Sequence, residues 1–148
     1  MINPARPLAL ALLLALAGAA QAEPPPPVDL MLVMAVDVSE SVTEDEYFLQ
    51  HEGIARAFED PQIQSAIGDG SHGAIEVAVM EWSDREKQIV TVDWTRVGDA
   101  DSARSFAAAV RASPRSSRGL TAIGDALLAA KALLDRAPAA AERRLIGL

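Results

Sequence analysis

Apolar positions along the chain change period several times, and each change predicts an element. Leu30 to Val36 is a continuous apolar run ending at Asp37, as expected of a strand covered on both faces. From Thr43 the spacing becomes helical, with Tyr47, Phe48, Ile54, Ala55 and Phe58 along one stretch. Thr43-Glu44-Asp45-Glu46 fits a capping box, its acids filling the electropositive first turn. Asp60-Pro61 restarts a short helical piece with Pro61 at its first position, and Gly68 ends it. Ile75 to Trp82 alternates: Ile75, Val77 and Val79 share one face, and Ala78, Met80 and Trp82 the other. After a polar turn at Ser83 to Lys87, Val90, Val92 and Trp94 alternate within Gln88 to Trp94. This predicts a hairpin whose second strand is half-exposed and near an edge. Asp101 to Ala112 is a modest Ala-rich helix, and Ser113 to Gly119 a loop. From Thr121 onward Ile123, Leu127, Ala130 and Leu134 mark an amphipathic helix. Ala137-Pro138 closes it, and Arg143 to Leu148 begins a further buried strand in which the chain stops, which reads as a C-terminally incomplete domain.

Strands alternating with helices, led by a strand buried on both faces, predict an α/β fold. The expected architecture is a Rossmann-like, doubly wound, mostly parallel sheet with helices on both faces. Such sheets bind ligands at the carboxyl ends of their strands, where neighbouring connections leave toward opposite faces. The loop after Val36 is therefore the first place to look for chemistry.

Composition narrows the chemistry. The 148 residues carry 13 basic and 21 acidic groups, a net charge of −8, and 50% are hydrophobic. A chain this acidic has no cationic excess with which to displace counterions, so nucleic acid is disfavoured as a partner. Zero cysteines removes disulfides, thiolate zinc sites, iron–sulfur clusters and Cys nucleophiles together.

The first 22 residues contain one charge, Arg6, ahead of an unbroken apolar run from Leu8 to Ala17, and Ala20-Gln21-Ala22 is a small-x-small cleavage site. Residues 1–22 thus read as an export signal. Leu8 to Ala20 is too short for the ~20 residues that a bilayer-spanning helix needs. The expectation is an exported, periplasmic or extracellular protein with no stable membrane insertion after signal cleavage. Residues 23–27, with four prolines from Pro24, form a stiff spacer, and residues 28–148 form the folded domain.

Asp37-Val38-Ser39-Glu40-Ser41 follows the first strand. Residues two apart in an extended segment project to one side, so Asp37, Ser39 and Ser41 can present three oxygens toward one point. Oxygen-only donors suit a hard divalent cation, Mg2+ or Mn2+. Gly119-Leu120-Thr121 offers a fourth oxygen if the fold sets its loop beside the first.

Asp37-x-Ser39-x-Ser41 at the end of a buried first strand, with the Gly-Leu-Thr121 loop before an amphipathic helix, resembles the von Willebrand factor A domain and its metal-ion-dependent adhesion site. The resemblance runs from Val28 to Leu148 in element order and is nearest to bacterial exported members. It implies that Ser39 and Ser41 bind the cation directly, Asp37 orients a coordinated water and hydrogen-bonds the serines, and Thr121 binds directly or through water. A further metal-loop aspartate of the family follows its fourth strand, and the sequence ends before that loop. A cation held largely by neutral hydroxyls keeps much of its charge, which favours an Asp or Glu carboxylate from a protein partner. The implied function is non-catalytic binding or adhesion.

Several features have plainer explanations. Ser41 and Thr121 also fit helix caps, and Thr43 is assigned to that role. Gly68-Asp69-Gly70-Ser71-His72-Gly73 is a literal G-x-G-x-x-G, but it follows a helix and opens a strand, the reverse of a dinucleotide fingerprint. His51 and His72 lack partners at metal-ligand spacing and read as surface residues. Arg111, Arg115 and Arg118 either steer an acidic partner or lie on a solvated loop. Trp82 and Trp94 read as packing residues. A haloacid-dehalogenase-like phosphoryl-transfer enzyme also ends its first strand in aspartate, but Ser39 stands where its general acid is needed. A scaffold domain with a vestigial metal site is the third reading.

Overall fold

The computed structural model describes residues 23–148; the expected export signal at residues 1–22 lies outside them. The chain runs β1 (Val28–Asp37), α1 (Glu44–Glu59), α2 (Pro61–Gly68), β2 (Ile75–Trp82), β3 (Gln88–Val97), α3 (Ala100–Ala112), α4 (Ile123–Asp135) and β4 (Ala141–Gly147). The four strands form one sheet in the order β3-β2-β1-β4. β1 is parallel to both β2 and β4, and only the β2–β3 pair is antiparallel. The mostly parallel α/β architecture is therefore the one predicted.

Two apolar layers show why helices occupy both faces. Met31, Val33 and Ala35 of β1 pack with Met80 and Trp82 against Ala126, Ala130 and Leu134 of α4. Leu30, Leu32, Met34 and Val36 face the other way, with Val77 and Val79, toward Phe58 of α1 and Phe106 of α3. The alternation in β1 and β2 is thus period two, with both faces apolar because both are covered. Phe58 and Phe106 meet at a centroid distance of 4.5 Å in a tilted pair. Burying such a side chain contributes about 1.5–3 kcal/mol, which fixes α1 against α3.

Local chemistry sets the helix starts. Thr43 caps α1 with the reciprocal box: its hydroxyl accepts from the Glu46 amide, and the Glu46 carboxylate accepts from the Thr43 amide. Asp60 caps α2 and Asp99 caps α3. α4 begins with Ala122 in the cap position and no side-chain cap.

Three expectations are corrected. β3 runs to Val97 rather than Trp94, because Thr95, Arg96 and Val97 continue to pair with Val77, Glu76 and Ile75 beyond irregularities in register near Val79. β4 is mostly exposed rather than buried: it lies at the sheet edge, and Leu145 is 53% exposed. Phe48 keeps helical spacing but is also exposed, since α1 turns its other side, through His51, Ala55 and Phe58, to the core.

Candidate functional site

β1 delivers Asp37 to the carboxyl end of the sheet, beside Trp82 of the neighbouring parallel strand. The chain then turns sharply. The Ser39 amide donates to Asp37 Oδ1 at 2.8 Å, and the Val42 amide to the Ser39 carbonyl at 3.0 Å. This turn sets Ser39 Oγ 3.2 Å from Ser41 Oγ. Ser39 is buried while Ser41 is exposed. Ser41 is not a helix cap, because Thr43 takes that place.

The Thr121 loop is stitched to the same rim. The Glu40 amide donates to the Gly119 carbonyl at 2.8 Å, and the Ala122 amide to the Ser83 carbonyl at 2.8 Å. Gly119 is required by this approach: a Cβ there would stand 2.9 Å from Asp84 Cβ. Asp37 and Thr121 line one open cavity of about 700 Å³, with Gln50, Met34, Trp82 and Ile123. Thr121 is exposed and does not cap α4, whose first turn has no side-chain cap. The two segments singled out in the sequence, 84 residues apart from Asp37 to Thr121, thus meet at one end of the sheet.

The serine pair has the spacing of two ligands on a small hard cation, while Thr121 shares with Asp37 a cavity that neither serine lines. Ligands at 2.0–2.1 Å in octahedral geometry stand about 3 Å apart, close to the 3.2 Å between the serine oxygens. Neutral hydroxyls from Ser39, Ser41 and Thr121 with the Asp37 carboxylate offer oxygen alone, which favours Mg2+ or Mn2+ over softer ions.

Arg115 braces the Asp37–Ser41 loop from behind. Its Nη2 donates to the carbonyls of Val38, Ser39 and Val42 at 2.9, 2.8 and 2.9 Å. Nη1 donates to Glu44 at 3.1 Å, and the guanidinium lies 5.6 Å from the centre of the Tyr47 ring. One nitrogen with two hydrogens thereby serves three carbonyls, one hydrogen being shared, and holds the turn where strand pairing has ended. Arg118 also pairs with Glu44, and Arg111 bridges Glu52 and Glu59 on α1. All three arginines are engaged within the fold; they do not form a free steering patch.

Beneath the rim lies a buried polar cluster around Glu81. Tyr47 donates its hydroxyl hydrogen to Glu81 Oε1 at 2.9 Å, His51 Nε2 stands 3.0 Å from that oxygen, and the Ser116 amide donates to Oε2 at 2.7 Å. Burial alone would raise the Glu81 carboxyl, but bonds from His51, Ser116 and Tyr47 outweigh it and hold the group below the ordinary carboxylate range. The cluster ties β2, α1 and the loop that carries Arg115 together.

His51 is therefore buried against Glu81, and the surface assignment is corrected. His72 is exposed, as expected, and its Nε2 lies 3.6 Å from Glu142 Oε1, with Asp29 beside them. Sequence reasoning missed Glu81, His51 and Arg115 as contributors to the rim. One signal was available: an acid such as Glu81, five positions after Glu76 in the fully buried run Ile75–Trp82, needs an internal partner.

β1, β2 and β4 run parallel, with α1 and α3 on one face and α4 on the other, which is the α/β fold that the resemblance to the von Willebrand factor A domain implies. The chain belongs to the family described as protein of unknown function (DUF1194), whose model matches residues 27–148. Among solved structures, it is similar to the three N-terminal domains of the type V pili tip protein Mfa5 from Porphyromonas gingivalis, with 14% identity and a TM-score of 0.52. That alignment covers 80% of this chain and 19% of the other. It is also similar to the pilus adhesin SpaC from Lactobacillus rhamnosus GG in its open conformation, with 24% identity and a TM-score of 0.52 over 84% of this chain and 15% of that one. The chain thus spans less than a fifth of the length of either. No curated protein matches it.

Proposed function

We propose that the chain is an exported, divalent-metal-dependent protein-binding or adhesion module. Residues 1–22 direct export, 23–27 form the linker and 28–148 the binding domain. Ser39 and Ser41 ligate Mg2+ or Mn2+ directly, Asp37 orients a coordinated water, and Thr121 ligates directly or through water. The ion supplies an under-neutralised positive charge at the rim, to which a partner's Asp or Glu carboxylate binds. The observation that carries the reading is the strap between Glu40 and Gly119, which draws the loop bearing two serine hydroxyls 3.2 Å apart toward the loop bearing Thr121. The pilus tip protein and pilus adhesin that share the fold are consistent with a role outside the cytoplasm. Among the described residues no helix is long and apolar enough to cross a membrane.

Nothing in this chemistry needs a base or a nucleophile. Ser39 occupies the position where a haloacid-dehalogenase-like enzyme would need its general acid, and a serine hydroxyl is a poor acid for a leaving group at neutral pH.

Calorimetric titration with Mg2+ and with Mn2+ tests the proposal. Binding that disappears in Ser39→Ala and in Ser41→Ala supports it. An unchanged heat signal and melting temperature with either ion would overturn it in favour of a scaffold with a vestigial site. Turnover of an aryl phosphate that is lost in Asp37→Asn would overturn it in favour of phosphoryl transfer.

A further inference from the structure

At the amino end of the sheet, about 26 Å from Asp37 by the rise of eight strand residues, three potential ligands from three elements converge. They are Asp29 at the start of β1, His72 in the turn between α2 and β2, and Glu142 in β4. Their ligand atoms all lie within 4.8 Å of one another. From this geometry we infer that Asp29, His72 and Glu142 form a separate site for a borderline divalent cation of the zinc class. The inference does not depend on the serine site, because it uses different residues and a different ligand chemistry.

Strand register explains why two carboxylates stand together. Val28 pairs with Ala141 and Leu30 with Arg143, so Asp29 lies beside Glu142 in a parallel ladder. Neighbours in register project to the same side, and like charges placed so are unfavourable without a cation between them. The Asp29 carboxylate is preorganised: it is buried and accepts from the His72 amide at 2.9 Å through Oδ1 and from the Ala74 amide at 3.3 Å through Oδ2. Gly70 makes room for it, since a Cβ there would stand 2.3 Å from Asp29 Oδ2. The same bonds that hold Asp29 bring the backbone of His72 against it.

The His72–Glu142 distance is informative. At 3.6 Å, Nε2 and Oε1 are beyond the 2.7–2.9 Å of a charge-assisted hydrogen bond. Two ligands bound to zinc at 2.0–2.1 Å in a tetrahedron stand about 3.4 Å apart. One imidazole with two carboxylates selects zinc-like ions over magnesium, leaving a fourth position for water. A cation here would staple the edge strand β4 and the 68–73 turn to β1.

The composition makes the test clean. The chain has no cysteine and only two histidines, and His51 is buried. The full chain is titrated with Zn2+ by calorimetry and with Co2+ by visible absorption. One equivalent is expected, with the intense visible band of tetrahedral cobalt. Binding should be lost in His72→Ala, weakened at least tenfold in Glu142→Gln, and kept in the Ser39→Ala/Ser41→Ala double variant. That last arm separates failure here from failure of the magnesium proposal. His72 holds Asp29 through its amide rather than its ring, so His72→Ala should keep the metal-free melting temperature. If it does not, nitrogen NMR of the unmodified protein reads the same site, with Zn2+ moving the His72 imidazole signals and leaving those of His51 in place. Absence of the cobalt band, its survival in His72→Ala, or unmoved His72 signals would overturn the assignment.

Discussion

The two ends of β1 gather polar side chains in different ways. At the carboxyl end, one short turn presents two hydroxyls, and neighbouring loops supply the bracing from Arg115 and the approach of Thr121. At the amino end, each polar group comes from a different element, and parallel register sets two carboxylates side by side. Neutral donors crowd without penalty, so the upper rim needs only hydrogen bonds to hold its shape. Charged donors repel, so the lower cluster depends on amides and an imidazole. One strand therefore carries a set suited to a hard cation at one end and a set suited to a borderline cation at the other.

Glu81→Ala should have the largest effect. It leaves the Tyr47 hydroxyl, the His51 ring and the Ser116 amide without their shared acceptor. A loss of about 3 kcal/mol in urea denaturation is expected, as for breaking a buried charged cluster. It should weaken the upper rim while leaving Zn2+ binding at the lower one. Ser39→Ala removes one of the proposed ligands and should reduce Mg2+ or Mn2+ affinity about 100-fold by calorimetry, with little change in metal-free stability. Arg115→Lys keeps the charge but has no second nitrogen to hold Glu44 while the first reaches the carbonyls, and no planar group over Tyr47, so an affinity loss of about tenfold for the same ions is expected, with no change toward Zn2+. If Arg115→Lys and Ser39→Ala alter both ends equally, the two regions are not independent.

Gly70→Ala addresses the lower end alone. The added Cβ displaces the Asp29 carboxylate, at a cost of about 1 kcal/mol in the melting transition. The smallest effect lies on neither rim. Glu52 accepts from Arg111 and Arg56, which hold its carboxyl down to about 2. A depressed carboxylate adds stability that is present above its unfolded value of about 4.3 and lost as pH falls through the folded one. Urea midpoints should therefore decline between about pH 4.3 and 2, and less steeply in Glu52→Gln.

What the sequence disclosed was what neighbours in the chain determine. The Thr43 box, the proline start of α2, the two-faced pattern of β1 and β2, and the Asp37-x-Ser39-x-Ser41 turn each span only a few residues. The approach of Thr121 was inferred from resemblance, and the contact that accompanies it is between backbone groups, which no side-chain pattern encodes. His51, Glu81 and Arg115 were hidden for a related reason. Their partners lie 30 to 77 residues away, and polar groups on a helix or loop look solvent-exposed until the opposing acid or carbonyl is placed. His72 lies at the surface as read, but its neighbours Asp29 and Glu142 were not legible, because they come from other elements and meet only through strand register.

Arginine keeps its charge across the whole range of acidity a folded protein survives. The brace that Arg115 forms over Val38, Ser39 and Val42 should therefore be as firm in a mildly acidic environment as in a neutral one. Loss of cation capture at that rim in mild acid would then not stem from Arg115 releasing the loop that presents the hydroxyls.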